Sequence, residues 1–500
     1  MKNLPYICIG LLLLVCNTSF GQGKQIQIVN ANTFELVERN GGKIKKLIGA
    51  VQLKQNNTQM FCDSAYLFDE TNFVEAYGHV RINHQDSVTF YGDFLRYDGN
   101  NRTATLQQNV SMVDQSAVLT SNELFFDMLK NKASYTTGAK LVSDESVLTS
   151  RFGYYYTNSK ELFFSKQVKL INPEFELKGD TLKYNVKTKV ATFLGNTIIT
   201  SSTDTVYSSN GTYQTEKQSG VLLQRSKIRS NENTLVADTI FYNRRSNYSR
   251  ALGNIVITDT VNQSVILGNV AELFGKENRS YITNKALVMS FMDNDTITIE
   301  ADSIHIFKQS SLQKKDLIKA YTKVKIFKSD IQAICDSLVY IKQDSSMILY
   351  KRPVLWSGVN QITGDTIVFY INNRKLDSMY VINNAFVVSK ENALHFNQVR
   401  GKHIKGFFKE GKIDFIFVYG NGQSIYYAKE DMAYIGVNVI DCSEMKFKFS
   451  GGKIATARFI TTPSANFYPI EQLKPEELRL KGFKWLEVNR PQRKVISKKN

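Results

Sequence analysis

Seven aspartates share one phase of this sequence: Asp63, Asp93, Asp180, Asp238, Asp302, Asp336 and Asp365. Paired carboxylates can act as acid, base or nucleophile, but only where a few of them converge on one point. These recur once per repeat and so are spread along the chain, and a turn or strand-start role explains them more simply. The five histidines, His79, His84, His305, His395 and His403, show no zinc-type spacing and read as surface or turn residues. Cys62, Cys335 and Cys442 stand too far apart for a disulfide framework and read as buried small hydrophobes. GxxxxGK[ST], GxSxG and HExxH are all missing from the chain. The expectation is a protein without a compact catalytic centre, cofactor or metal.

The elements carrying these residues follow from a repeat. A phrase of polar residue, any residue, aliphatic, any residue, Tyr or aliphatic starts at Asp63, Asp93, Asn122, Arg151, Asp180, Ser209 and Asp238, at intervals of 29 or 30. Looser copies start at Asn269, Asp302, Asp336, Asp365, Lys402 and Ser443, at intervals of 29 to 41. A second phrase, Gly or Asn before alternating aliphatics, lies between them, as in Gly78-His79-Val80-Arg81-Ile82 and Gly253-Asn254-Ile255-Val256-Ile257. Alternation at period two marks half-buried strands, and Gly or Asn suits a turn that opens the second one. About 13 units of strand, turn, strand, turn result. One such unit cannot bury its apolar face, so units must stack along an elongated all-β body with a shared apolar interior.

Bulk properties agree. The 500 residues include 25 Tyr, 31 Phe and only 7 Pro, as long hydrogen-bonded ladders require. Sixty-three basic against 46 acidic residues give a formal charge of +17, which favours anionic partners such as phosphate groups, acidic sugars or lipid headgroups. Nucleic acid is not expected, since no binding motif accompanies the charge. Lys2, the apolar run 6–15 and the small residues before Gln22 read as an export signal over residues 1–21. A rival reading lipidates Cys16 after Leu13-Leu14-Val15; the bulk of Val15 speaks against it.

The phrases Ala237-Asp238-x-Ile240-x-Tyr242 and Ala251-x-Gly253-Asn254-Ile255-x-Ile257 resemble the OstA-like domain of the LptA family of periplasmic lipopolysaccharide-transport proteins. The resemblance runs from about residue 26 to 340 and thins toward 450. It implies a taco-like β-jellyroll whose interior carries the acyl chains of lipopolysaccharide or a related anionic glycolipid toward the outer membrane. It also implies end-to-end pairing with other OstA-like components through edge strands, with membrane contact made by those partners. Carried over by phase, the lining includes Val80, Ile82, Leu95, Tyr97, Val110, Met112, Leu182, Tyr184, Ile240, Tyr242, Ile255 and Ile257.

Expected divisions are residues 22–340 as jellyroll repeats, 341–470 as their divergent continuation, and 471–500 as a basic tail. The tail offers a helical turn at Pro475 to Leu480, then Phe483, Trp485 and the basic residues Arg490, Arg493, Lys494, Lys498 and Lys499. It would cap the last open edge or dock on a partner. Two alternatives to a lipid carrier remain: a structural or adhesive β-solenoid with a filled core, and a polysaccharide-acting β-helix with carboxylates on one lateral face.

Overall fold

The computed structural model describes residues 25–493 apart from 40–41, 86–87, 115–116, 144, 292–294, 310–314, 373–374, 411, 432, 452 and 473–477. The expected export signal, Cys16, the start of the expected tail helix at Pro475, and Lys494, Lys498 and Lys499 lie outside the described residues. The described chain is almost entirely antiparallel β-structure; its helical pieces are three-residue 3-10 turns at Gly275–Glu277, Ile470–Gln472 and Glu487–Asn489. It divides into two compact units, one running to Pro173 with Lys183–Lys187, the other comprising Glu174–Leu182 and Thr188 onward.

In the first unit the strands Thr58–Phe68, Phe73–His84, Val88–Asp98, Thr103–Asp114 and Ala117–Asp127 pair in chain order, each antiparallel to the next. Every ladder slips once near its middle. Tyr77 faces Phe94 and Val80 faces Gly92, so Gly78-His79 sit opposite Asp93 alone. Two residues against one is a bulge, which bends the strand and sharpens its twist. Both bulge residues are left-handed, at φ +74° and +43°. Gly78 needs that conformation and also the missing side chain: a Cβ there would lie 2.3 Å from Oδ2 of Asp63.

The expected turn ahead of the Gly/Asn phrase is therefore a corner inside a longer strand. Each sequence phrase describes only half a strand of eleven or twelve residues. The Asp-bearing strand changes phase at the corner, burying Phe90 before it and Leu95 after, while its partner keeps phase from Ala76 to Val80. Left-handed residues recur as pairs at Gln108-Asn109, Lys166-Gln167, Gln224-Arg225, Gly253-Asn254 and onward to Thr461-Thr462. A corner at Asn32, opposite Gly49-Ala50, precedes the first phrase found in the sequence: the amide of Asn32 donates to the Gly49 carbonyl at 2.9 Å.

The second unit follows the same rule from Val190–Ser201 to Ala433–Ser450. Its late strands lengthen, reaching 16 residues in Lys375–Lys390 and 19 in Lys412–Glu430, which accounts for the stretched intervals after Asp365.

The tail does something the sequence reading did not anticipate. Residues 478–493 form an irregular strap running back across the outer face of one wall. Gln398 donates to the Leu478 carbonyl and accepts from the Leu480 amide, both at 2.9 Å. Gln361 does the same to Lys484 and Leu486, both at 2.7 Å. The neighbouring Gln332 accepts from Nε of Arg490 at 2.7 Å. Leu478 packs with Ile425, Tyr427 and Val437, and Phe483 and Trp485 with Phe396. Strands Val354–Ser357 and Asn360–Thr363 are consequently buried on both faces, with Trp356 wholly enclosed. The strap thus covers a sheet face, in place of the expected edge cap, and Leu478–Leu480 is not helical.

Candidate functional site

Residues opposite one another in a ladder share a face, so register and burial together identify the inward rows. In the first unit those rows are closed. Met60, Leu67, Val74, Ile82, Phe90, Tyr97, Ala104 and Met112 are each at most 2% exposed. Facing rings fill the space between walls, with Phe90 and Phe126 centroids 4.5 Å apart.

The rung furthest from the corners is polar and hydrogen-bonded shut. Oγ1 of Thr58 lies 2.9 Å from Nδ1 of His84, whose Nε2 lies 3.4 Å from Oδ1 of Asn131. Gln55 donates to the Gly99 carbonyl at 2.9 Å and accepts the Tyr97 hydroxyl. Lys160 donates to both oxygens of Asp114 at 2.7 and 2.8 Å, and the Tyr155 hydroxyl binds the same carboxylate. Burial holds the His84 pKa below its usual range, the Asn131 contact opposing, and pushes the Tyr97 phenol up to about 12. His84 is accordingly a neutral, buried partner, where the sequence suggested a surface residue.

The second unit differs between Tyr248 and Tyr340. Near the corners Ala251, Ile255, Ala271, Ile282, Ile304, Ala320 and Leu338 are fully buried. One or two rungs outward, Ile257, Leu273, Ile297, Ile306, Ile318 and Tyr340 are only half-buried. The pairings Ile306 to Ile318 and Ile257 to Ile266 place these side chains on the rows whose inner members form the core. The result is an apolar interior that is closed at its corners and partly exposed toward its rim.

Eleven of the twelve lining residues proposed from the sequence are buried: Val80, Ile82, Leu95, Tyr97, Val110, Met112, Leu182, Tyr184, Ile240, Tyr242 and Ile255. Only Ile257 is half-open. Most of those positions are therefore packed interior. The half-open rung further along, Leu273, Ile306 and Ile318, was missed because its residue types do not differ from those of the filled rows.

Residues 23–180 match the family described as OstA-like protein, and residues 292–375 match that described as LptA/(LptD N-terminal domain) LPS transport protein. Two separate stretches of the chain thus match OstA-like and LptA-type family models. The chain is also similar to LptH, the LptA-homologous periplasmic component of the lipopolysaccharide transport device from Pseudomonas aeruginosa. That similarity is 12% identity over 28% of this chain and 95% of LptH, with a TM-score of 0.21. No curated protein matches the chain.

The two matched stretches differ in packing. The first takes in the closed rows, and the second takes in half-open residues from Ile297 to Tyr340 and the wall beneath the strap. The repeated aspartates take no part in either interior. Asp93 accepts from Asn109 at 2.6 Å, Asp238 from Asn254 at 2.7 Å and Asp365 from Asn384 at 3.1 Å, so they clasp corners on the outside. Cys62, Cys335 and Cys442 are free and buried, with the first two thiols pushed up to about 12 by burial. Among the described residues no cluster of His, Cys, Asp and Glu could hold a metal, and no helix is long and apolar enough to cross a membrane.

Proposed function

We propose that this chain is a non-enzymatic periplasmic carrier that takes acyl chains of lipopolysaccharide, or a related anionic glycolipid, into the cleft of its second unit. The observation behind this reading is the half-open rung of Ile257, Leu273, Ile306 and Ile318 above a fully buried floor. Leaving large aliphatic side chains partly wetted costs about 25 cal/mol per Å² of apolar surface, and an acyl chain laid along the rung removes that cost. The match of residues 292–375 to a family of LPS transport proteins supports the cargo, and the basic balance of the chain suits a headgroup bearing phosphates. Partners would be other OstA-like components joined through edge strands; the first described strands, Gln27–Asn30 and Thr33–Arg39, leave Val29, Phe34 and Leu36 exposed. In this reading the sequence-derived lining residues of the first unit are scaffold, and Ile257 is the one that meets cargo.

The closed rows of the first unit support the second reading, a filled structural solenoid. Photo-crosslinking in cells separates the two. A photoreactive residue at Ile257, Leu273 or Ile318 should capture lipopolysaccharide, while the outward-facing Phe241 should not. Equal capture, or none, at the three inward positions and at Phe241 would leave only the structural role.

A further inference from the structure

A cavity lies on the outer face of the second unit, where the end of the strap meets the corners at Thr322-Lys323 and Lys351-Arg352. Its lining includes Lys323, Lys325, Lys351, Arg352, Arg490 and Arg493 with two acids, Glu300 and Asp336, and the apolar Val324 and Phe327. At Asn109, Asn254 and Asn384 the second left-handed residue is an asparagine bound to its corner aspartate. At Lys323 and Arg352, as at Arg225 and Lys285, that place is taken by a cation, with φ +54° and +57° at the first two; this cavity brings two such corners together. Asp336, the corner acid between Thr322-Lys323 on one side and Lys351-Arg352 on the other, is engaged by Lys351 at 3.0 Å. Arg490 is also spoken for, bound by Gln332 at 2.7 Å, the Gly358 carbonyl at 3.0 Å and Glu487 at 3.2 Å.

Lys323, Lys325, Arg352 and Arg493 remain, all exposed and without an ion pair among the described residues. Like charges gathered around one concavity repel, and a compact dianion within it relieves that repulsion. We propose that this cavity is a phosphoryl-group site, taking a phosphate monoester or pyrophosphate either free or on a lipid headgroup. Arginines supply paired N–H donors and lysines point charges, the combination phosphate oxygens require. The site does not rest on the acyl-chain reading, since it lies on the opposite face of the wall from the inward rows.

The test uses the full chain and calorimetric titration with inorganic pyrophosphate at low ionic strength. Lys323→Asn and Arg352→Asn keep a residue type that tolerates positive φ, and combined with Arg493→Gln they should weaken binding at least tenfold. A control with the same charge change at exposed distant positions, Lys54→Gln, Lys140→Gln and Lys227→Gln, should bind as the unaltered chain does. Equal losses in both variants, or no loss in the first, would reduce the site to diffuse surface charge and overturn the proposal. Flotation with phosphatidylcholine vesicles containing phosphatidic acid identifies the source. Loss of flotation in the pocket variant alone assigns a lipid headgroup; unchanged flotation with lost pyrophosphate binding assigns a soluble phosphate.

Discussion

Oδ2 of Asp63 lies 2.7 Å from Nδ1 of His79, across the corner at which the strand Phe73–His84 bends, and it overhangs Gly78 so closely that a methyl group there would touch it. Asp, left-handed residue and missing Cβ thus act as one device. Gly78→Ala forces a side chain into a left-handed backbone, at about 1–2 kcal/mol, and against Asp63 as well. Asp63→Ala clears the space. The double variant should therefore be more stable than the sum of the two single changes requires, by at least ~0.5 kcal/mol in urea denaturation. Strict additivity would mean that the corner is not a coupled unit.

Much of this was legible in the sequence and some was not. All 13 phrase starts, from Asp63 to Ser443, fall at corners, because a corner demands both a polar clasp and left-handed partners, and those demands constrain residue type. Strand length was not legible, since the residues ahead of each clasp, such as Thr89-Phe90-Tyr91, carry no recurring type. Nor was the openness of the interior: Ile82 in a sealed row and Ile306 in a half-open one are the same residue at the same period. That difference lies in what packs across from each residue, which local pattern does not encode. The strap was hidden for another reason. Gln361 and Gln398 bind backbone groups, so nothing in the sequence of residues 478–486 advertises the match.

Acid should loosen the first unit at His84. Its folded pKa is depressed by burial, so the unfolded chain binds the proton more readily, and stability falls as pH drops below the ordinary histidine value near 6.5. His79 works the other way, its pKa raised by the hydrogen bond and charge of Asp63, but it is fully exposed. Melting temperature followed from pH 7.5 to 5 should decline, and His84→Gln, which keeps an acceptor for Thr58, should flatten that decline. An unchanged slope in the variant would assign the acid sensitivity elsewhere.

Breaking the Asp114 to Lys160 pair should be costly. The carboxylate is 3% exposed and the ammonium 19%, so Asp114→Asn leaves a largely enclosed cation without its counter-ion and disturbs the Tyr155 hydroxyl. A loss on the order of 3 kcal/mol is expected in chemical denaturation. A loss under about 1 kcal/mol would show that solvent reaches this rung.

The strap offers its own reporter. The chain contains two tryptophans, Trp356 and Trp485, and a chain ending before Leu478 keeps only Trp356, fully buried beneath the strap. Emission from that truncated chain should shift to longer wavelength than emission from full-length Trp485→Phe, which retains the cover. Within the intact chain, Gln361→Leu leaves the Lys484 carbonyl and Leu486 amide unpaired, at about 1–3 kcal/mol each if they stay buried. The strap should instead lift locally, so amide exchange at Leu486 should accelerate while exchange in the strand Thr366–Asn372 stays slow.

A filled interior and a half-open one respond oppositely to changes of volume. Phe90 is fully enclosed, so Phe90→Ala leaves a cavity worth about 3–5 kcal/mol and Leu95→Trp overpacks the same core. Ile306 is half-buried at the rim of the cleft, where Ile306→Trp has room to turn outward and should change stability by less than about 1 kcal/mol. If acyl chains occupy that rim, the added indole takes their place, and lipopolysaccharide capture by a photoreactive residue at Leu273 should fall several-fold in a chain that melts normally. A chain that melts normally and captures lipid undiminished would place the cargo away from the Ile306 rung, and with it the physical basis for reading this cleft as the carrier surface.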